Sequence, residues 1–399
     1  MRIAFTLGGT DDGRSGLGSY VKSVLPELSG LTRRRGDELV VLGSREELDA
    51  YGASLDGLET RLTPRVATRP GLSALWYLLA SGGAARRASA DVVLYPAANR
   101  RASAVNPLPS VAVVHDLGQL HVPEKYDALR MAYFHHALLR VFRRATRLVA
   151  ISRATQSDLV SALGIERDTV DVVLNGVDVQ RFAPRPPADP DVAAARARLT
   201  LHAPYLLYPA RLEHPAKNHV RLVEAFSSSG LAATHDLVLM GGDWGASERI
   251  LEAARAHGVG HRVRLTGFVD DWLVPLLTTG ADAVVLLGLY EGFGLPALEA
   301  LAAGRPVCAS NSGALPEVVG DLAALCDPYA VDSIAAALRS VVFDSELRRR
   351  AAEQGPAHAR AFGWNKTAAG LHRACRRAAR LRWKRTDQAA PESIPEPSR

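Results

Sequence analysis

Two glutamates, Glu291 and Glu299, stand with seven residues between them in the segment Tyr290-Glu291-Gly292-Phe293-Gly294-Leu295-Pro296-Ala297-Leu298-Glu299. The apolar run from Ala283 to Leu287 ahead of them reads as a strand, and Pro296 suits the first turn of a helix. A helix therefore starts at a strand end. Its unpaired amides, with the flexible glycines Gly292 and Gly294, make a positive pocket suited to phosphate or sugar oxygens. On one helix, positions eight apart are about 12 Å apart along the axis, so the two carboxylates would grip different parts of a ligand. The plainer alternative makes Glu291 a helix cap and Glu299 a solvated surface residue. Arg211 and Lys217 offer the complementary charge, in Tyr208-Pro209-Ala210-Arg211-Leu212-Glu213-His214-Pro215-Ala216-Lys217. They follow another strand, Tyr205 to Tyr208, and are either an anion site or ordinary surface residues of a basic protein.

Nearer the start, Gly8-Gly9-Thr10-Asp11-Asp12-Gly13-Arg14-Ser15-Gly16-Leu17-Gly18-Ser19 joins a first strand to a helix. Five glycines let backbone approach a ligand closely, which makes this a phosphate-cradling or acceptor loop. It is not a dinucleotide fingerprint, because Val21 stands where the third glycine belongs and 42–45 supplies no acid. That speaks against a dehydrogenase. Asp11 and Asp12 are paired acids of the kind that bind metals, but in a loop such pairs are more often solvated. His115 and Asp116 end the strand Val111 to Val114. Asn175, in Asn175-Gly176-Val177-Asp178, marks a turn after Val170 to Leu174. Asp243 follows the strand Leu237 to Met240, and Phe268 and Val269 follow Val263 to Leu265; these last two pack either on a ligand or in the core.

The elements that must position these residues alternate as short apolar runs and helical patterns, the βαβ signature of a parallel sheet. The first half has strands at Ile3 to Leu7, Glu38 to Leu42, Val92 to Tyr95, Val111 to Val114, Leu148 to Ile151 and Val170 to Leu174, with a helix from about Ser19 to Leu28. Ala183-Pro184-Arg185-Pro186-Pro187-Ala188-Asp189-Pro190 then breaks the pattern, since proline cannot continue a helix interior or a central strand. Alternation restarts at Tyr205. The expected fold class is α/β, two Rossmann-like doubly wound domains facing a cleft: residues 1–183, a linker over 184–199, and residues 200–365. A helix over 366–387 would cross back to the first domain with Leu371 and Trp383 inward, and 388–399 reads as a disordered tail. Ligands of doubly wound sheets lie beyond the carboxyl ends of the strands, so facing lobes put the site between them.

Bulk properties restrict the function classes. The 399 residues suit two domains, and 47% hydrophobic with 23% charged residues is globular. No apolar run approaches the roughly 20 residues of a membrane span. Cys308, Cys326 and Cys375 are odd in number and lack metal-ligand spacing, which fits a reducing cytoplasm. The net charge of +6 is concentrated in the arginines of 372–385. No nucleic-acid module accompanies it, whereas contact with an anionic membrane surface suits a basic helix.

Glu-Gly-Phe-Gly-Leu-Pro leading into Glu-Ala-Leu-Ala-Ala-Gly-Arg-Pro-Val resembles the E-x7-E signature of the large retaining GT-B glycosyltransferase family, the group 1 or mannosyltransferase-like enzymes. Asn311-Ser312-Gly313-Ala314-Leu315-Pro316-Glu317 continues the likeness, which extends in weaker form over most of 1–365. The resemblance implies a metal-independent enzyme without cofactor that moves a hexose from a nucleotide diphosphate sugar to an acceptor. It carries the sugar contact to Glu291, the ribose contact to Glu299, and the charge on the departing diphosphate to Arg211 and Lys217. Gly16, Gly18, Phe293, Gly294 and Leu295 become donor-phosphate contacts, Asp243, Phe268 and Val269 lie near the nucleotide, and His115, Asp116 and Asn175 near the sugar or acceptor. The style of His115-Asp116-Leu117 and Ala210-Arg211-Leu212-Glu213 leans toward GDP-mannose-type donors, with UDP-sugars compatible. A sugar-nucleotide epimerase or an inactive nucleotide-sugar-binding scaffold would fit the same fold. Donor turnover separates the scaffold from the enzymes.

Overall fold

The computed structural model describes residues 1–387 apart from Arg14, Pro70, Gly71 and Pro187, and the backbone alone over 382–387. The tail at 388–399 and the inward side chain of Trp383 therefore lie outside the described residues. Two parallel sheets carry the chain. The first has the order β3 (Glu59–Leu62), β2 (Glu38–Gly43), β1 (Arg2–Thr6), β4 (Val92–Tyr95), β5 (Ser110–Val114), β6 (Arg147–Ala150) and β7 (Val170–Val172). The second has the order β10 (Val263–Gly267), β9 (Asp236–Met240), β8 (Tyr205–Pro209), β11 (Ala283–Leu286), β12 (Val307–Ser310) and β13 (Ala323–Cys326). In each sheet the strand order reverses once, between β1 and β4 and between β8 and β11. Those two reversals are where an α/β sheet opens a crevice.

Side chains alternate across a strand, and β1 shows the consequence. Ile3 and Phe5 join one core with the helix Gly16–Arg34, while Ala4 joins the core on the opposite face. Burial on both faces explains why most strands read as continuous apolar runs. β3 is the exception: Glu59-Thr60-Arg61-Leu62 is exposed throughout at the sheet edge, so it carries no hydrophobic pattern to read. The segment expected as linker holds the helix Pro190–Arg198, with Asp189 capping its first amides and Pro190 in its first turn. A proline that would break a helix interior is accommodated at its start. Val192 and Ala195 of this helix pack into the second core.

The chain ends in the helix Trp364–Asp387, which packs along Gly16–Arg34 of the first lobe and buries Leu371, Ala374, Cys375 and Ala378 there. His372 Nε2 meets Asp37 Oδ2 at 2.6 Å, and the terminal ammonium of Met1 donates to Asp37 Oδ1 at 2.9 Å. Burial pushes the Asp37 carboxyl up, but these two hydrogen bonds outweigh it and leave the pKa below its ordinary value. A depressed carboxyl stabilises the fold above its unfolded pKa and loses that contribution as pH falls through the folded value. Asp37→Asn is expected to lower stability by about 1 to 3 kcal/mol at neutral pH. The gap to wild type should shrink as pH falls through the depressed Asp37 pKa, below the ordinary carboxylate range, which urea titrations at several pH values would measure.

Candidate functional site

The loops after β8 and β11 meet because those strands are hydrogen-bonded neighbours, with Ala283 beside Leu206 and Val284 beside Leu207. Lys217 Nζ donates to Glu291 Oε1 at 2.7 Å. The buried hydroxyl of Tyr208 on β8 donates to the Lys217 carbonyl at 2.8 Å, fixing the backbone that carries the lysine. Glu291 is braced from the next strand: its carbonyl accepts from Ala314 N at 2.9 Å, and Ser310 and Ser312 hydroxyls donate to the Gly288 and Leu289 carbonyls. The sequence places Glu291 on a loop, and these three hydrogen bonds tie that loop to the segment 310–314.

Arg211 is held on two sides. Its Nε and Nη2 both reach Glu213 Oε2 at 3.0 Å, and its guanidinium lies 4.7 Å from the centre of the Trp244 ring. Five donors on one guanidinium leave further N–H groups for an anion. Arg211, Lys217, Glu291 and Gly292 line one cavity with Asp116, Lys125, Tyr126 and Tyr290. Residues from both lobes therefore share one pocket.

His115 is buried, and its Nε2 lies 2.7 Å from the Pro96 carbonyl. A carbonyl only accepts, so Nε2 carries the proton and Nδ1 is left as an acceptor. Burial pulls the His115 pKa down to about 4, with the Pro96 hydrogen bond opposing, so the ring is neutral near pH 7. The His115 carbonyl packs so closely on Gly292 that a Cβ at 292 would stand 2.0 Å from it. Only glycine fits this contact between the lobes.

Gly294 precedes the helix Leu295–Ala302 with φ of 95°, and a Cβ there would meet the Leu315 side chain at 2.4 Å. The amides of Gly294 and Leu295 precede the first intrahelical bonds, leaving donors at this helix start. Glu299 is half-buried one turn further on. Burial raises its carboxyl to about 7, with Arg181 opposing and Asp271 assisting.

The remaining candidates divide between surface, core and loop packing. Phe268 is 74% exposed beyond β10 while Val269 packs against the second core. The Phe293 side chain lies in the core that joins the lobes, edge-on to Phe362, so only its backbone is available to a ligand. Asp243 accepts the amides of Gly245, Ala246 and Ser247 and the Ser247 hydroxyl; the Ser247 hydroxyl first, then those amides, hold its pKa down. Gly16 lies open at the start of its helix, whereas the Gly18 amide turns to Ser15 Oγ at 3.4 Å and its Cα packs on Gly13. Asn175 is buried with its side-chain oxygen unpartnered, beside the 362–364 crossing, and does not line the cavity. Asp11 is ion-paired to Arg100.

Sequence reading missed Lys125, Tyr126, Glu213, Trp244 and the pair His121 and Tyr290. The two aromatic rings stack at 4.0 Å, and both side chains bond to Asp158. Glu213 and Tyr290 lie inside motifs already singled out. Lys125 belongs to a polar stretch without any periodic signal.

Residues 194–358 match the family model described as glycosyl transferases group 1, and residues 15–181 match the model described as Glycosyltransferase Family 4. The O-antigen chain mannosyltransferase B of Escherichia coli is 29% identical over 257 residues, covering 64% of this chain and 67% of that protein. The MMP alpha-(1->4)-mannosyltransferase of Mycolicibacterium hassiacum is 31% identical over 238 residues, covering 58% and 54%. The match thus spans about half to two thirds of the length of these two relatives. The crystal structure of Anabaena HepE in complex with UDP and glucose superimposes with a TM-score of 0.71 at 19% identity, covering 94% of this chain and 98% of that one. This is a likeness of fold, the two-lobed GT-B arrangement. The two family models together span most of its length, and the chain is built of a Glycosyltransferase Family 4 domain followed by a group 1 glycosyltransferase domain.

Proposed function

We propose that this chain is a retaining, metal-independent hexosyltransferase that takes a sugar from a nucleotide diphosphate donor bound mainly by the second lobe. The observation that carries the reading is the contact of Lys217 with Glu291 beside Arg211 at the β8/β11 crevice. A carboxylate for sugar hydroxyls and two cations for phosphate stand within one cavity. An ammonium has three donors, so Lys217 can keep Glu291 and still reach a phosphate oxygen. The likeness to two mannosyltransferases supports the reading of a GDP-mannose-type donor for this chain, and the UDP in the HepE structure keeps UDP-sugars in view. The acceptor is a glycan, a lipid-linked sugar or a small molecule bound on the first lobe.

In this mechanism the bond between the anomeric carbon and the diphosphate oxygen breaks, and negative charge grows on the leaving group. Arg211, Lys217 and the Gly294 and Leu295 amides meet that charge, which stabilises the transition state more than the ground state. The departing phosphate takes the acceptor's proton on the face it leaves, so the new bond forms with retention. Neutral His115 accepts a sugar hydroxyl through Nδ1. Phe268 stacks on the base and Glu299 takes the ribose hydroxyls. No cluster of three or more metal-ligating side chains occurs among the described residues, and the proposal assigns the neutralising charge to the two cations.

No described helix is long and apolar enough to cross a membrane. The exposed Arg373, Arg376 and Arg380 of the terminal helix lie opposite its buried stripe, and we assign to them a peripheral contact with anionic lipid at the cytoplasmic face. Flotation with vesicles containing acidic lipid should recover more protein than flotation with neutral vesicles, and equal recovery would remove the assignment.

Arg211→Ala should lower turnover on the order of a hundredfold while raising KM less, with Lys217→Ala similar. The double variant should lose less than the product of the two, since both answer one charge. EDTA should leave activity unchanged. Normal turnover with only a raised KM would place the cations in ground-state binding, and loss of activity on chelation would point to a metal.

Glu299 accepts ribose hydroxyls through both oxygens, and most strongly, as an ionised carboxylate, and burial raises its pKa to about 7 in the free protein. Nucleotide affinity should therefore rise with pH by up to about tenfold per unit below that value and level off above it. Glu299→Gln should weaken nucleotide binding and flatten this dependence. Calorimetric titration with free UDP and GDP from pH 5.5 to 8.5 reads both, and a pH slope that survives in the glutamine variant would reassign the group.

A further inference from the structure

Lys125 is supplied by the first lobe yet makes its ionic contact with the second. It closes the short helical turn Pro123–Lys125, and its Nζ lies 3.2 Å from Glu213 Oε2, the same oxygen that receives Arg211. Lys125 and Glu213 are 20% and 12% exposed, so solvent screens this pair less than a surface bridge. The turn is pinned at two further points: Val122 packs with Ala216 and Leu289, and His121 stacks on Tyr290. These second-lobe residues neighbour Lys217 and Glu291 in sequence. The position of Lys125 is therefore set by the seating of one lobe on the other.

The charges lining the cavity give Lys125 a task. Lys125, Arg211 and Lys217 contribute three positive charges, while Asp116 and Glu291, with Glu213 held on Arg211 just behind, contribute three negative ones. With Lys125 the cluster is balanced. Without it the cluster is net negative, Glu213 draws wholly on Arg211, and a diphosphate must enter against that field. Burial lowers the Lys125 pKa and Glu213 pulls it back, consistent with an ammonium whose partner matters to it.

We propose that Lys125 is a positioning residue for the diphosphate site: it shares Glu213 with Arg211, steadies the guanidinium through that carboxylate, and supplies the charge that makes the cavity receptive to a diphosphate once the lobes are seated. This inference rests on the assignment of Arg211 and Lys217 to the donor diphosphate. It makes the phosphate site of one lobe dependent on a residue of the other.

The test is calorimetric titration of the full chain with UDP, GDP, UMP and GMP. Lys125→Met should weaken the diphosphate of the preferred base on the order of tenfold at low salt and the monophosphate much less. Lys125→Arg should restore most of the loss, which also tests the role if the methionine variant folds poorly. In a Glu213→Gln background the carboxylate to be compensated is gone, so Lys125→Met should then cost little. Equal losses with and without Glu213, or equal losses for mono- and diphosphate, would overturn the compensating role. Unchanged binding in Lys125→Met, with a loss in Arg211→Ala, would overturn this inference alone. Unchanged binding in both variants would overturn the phosphate-site assignment on which it rests.

Discussion

Parallel pairing of β8 with β11 at the reversal of strand order is the constraint on which the rest of the site depends. The two strands lie side by side, but their outgoing connections diverge, so no crossover fills the space beyond their carboxyl ends. Into that space come the 211–217 loop and the 288–294 loop, and the contact of Lys217 with Glu291 follows. The backbone approaches there are too close for side chains. A Cβ at Gly313 would stand 2.3 Å from the Glu291 carbonyl, comparable to the clash at Gly292. Glycine at these points lets three segments share one small volume.

A second consequence is that the first lobe cannot be a separate binding surface. Its 115–126 segment meets the second lobe through backbone at Gly292, a stacked pair at Tyr290, an apolar contact at Val122 and an ion pair at Glu213. Further along, Glu317 accepts the Arg153 amide at the start of the helix Arg153–Leu163. The terminal helix and the Phe293 core add apolar contact to these polar ones. Polar interlobe contacts are geometrically specific but individually modest. That combination suits a cleft whose two sides must register correctly around a ligand.

The polar groups of the candidate site are prearranged to different degrees, whether they line the cavity, as Arg211 and Lys217 do, or stand outside its lining, as His115 and Glu299 do. Arg211 is clamped by Glu213 and Trp244, Lys217 by Glu291, and His115 by the Pro96 carbonyl. Reorganisation that water would undergo during charge transfer is reduced where donors are already fixed. Glu299 differs, because burial with no compensating hydrogen bond among the described residues raises its carboxyl to about 7. Arrival of a partner that donates to it would lower that pKa.

Much of this was legible in residue order. Most strands are buried on both faces and read as apolar runs, and Pro296 after a glycine-rich strand end announced a helix start beside Glu291. Local chemistry sufficed there, because strand burial and helix initiation depend on neighbours within a few residues. The polar edge strand β3 and the helix Pro190–Arg198 escaped, one for want of apolar residues and the other because its proline signals an end as readily as a beginning. At the site, Arg211, Lys217 and Glu291 could be named from motifs, but which cation met which carboxylate could not. That Phe293 would be core, that Asp243 would spend its oxygens on the turn Gly245–Ser247, and that Lys125 would cross from the other lobe to Glu213 were decided only by tertiary structure. Lys125 and Glu213 are separated by 88 positions, and no local preference links them; sheet order and the seating of the lobes bring their charges together.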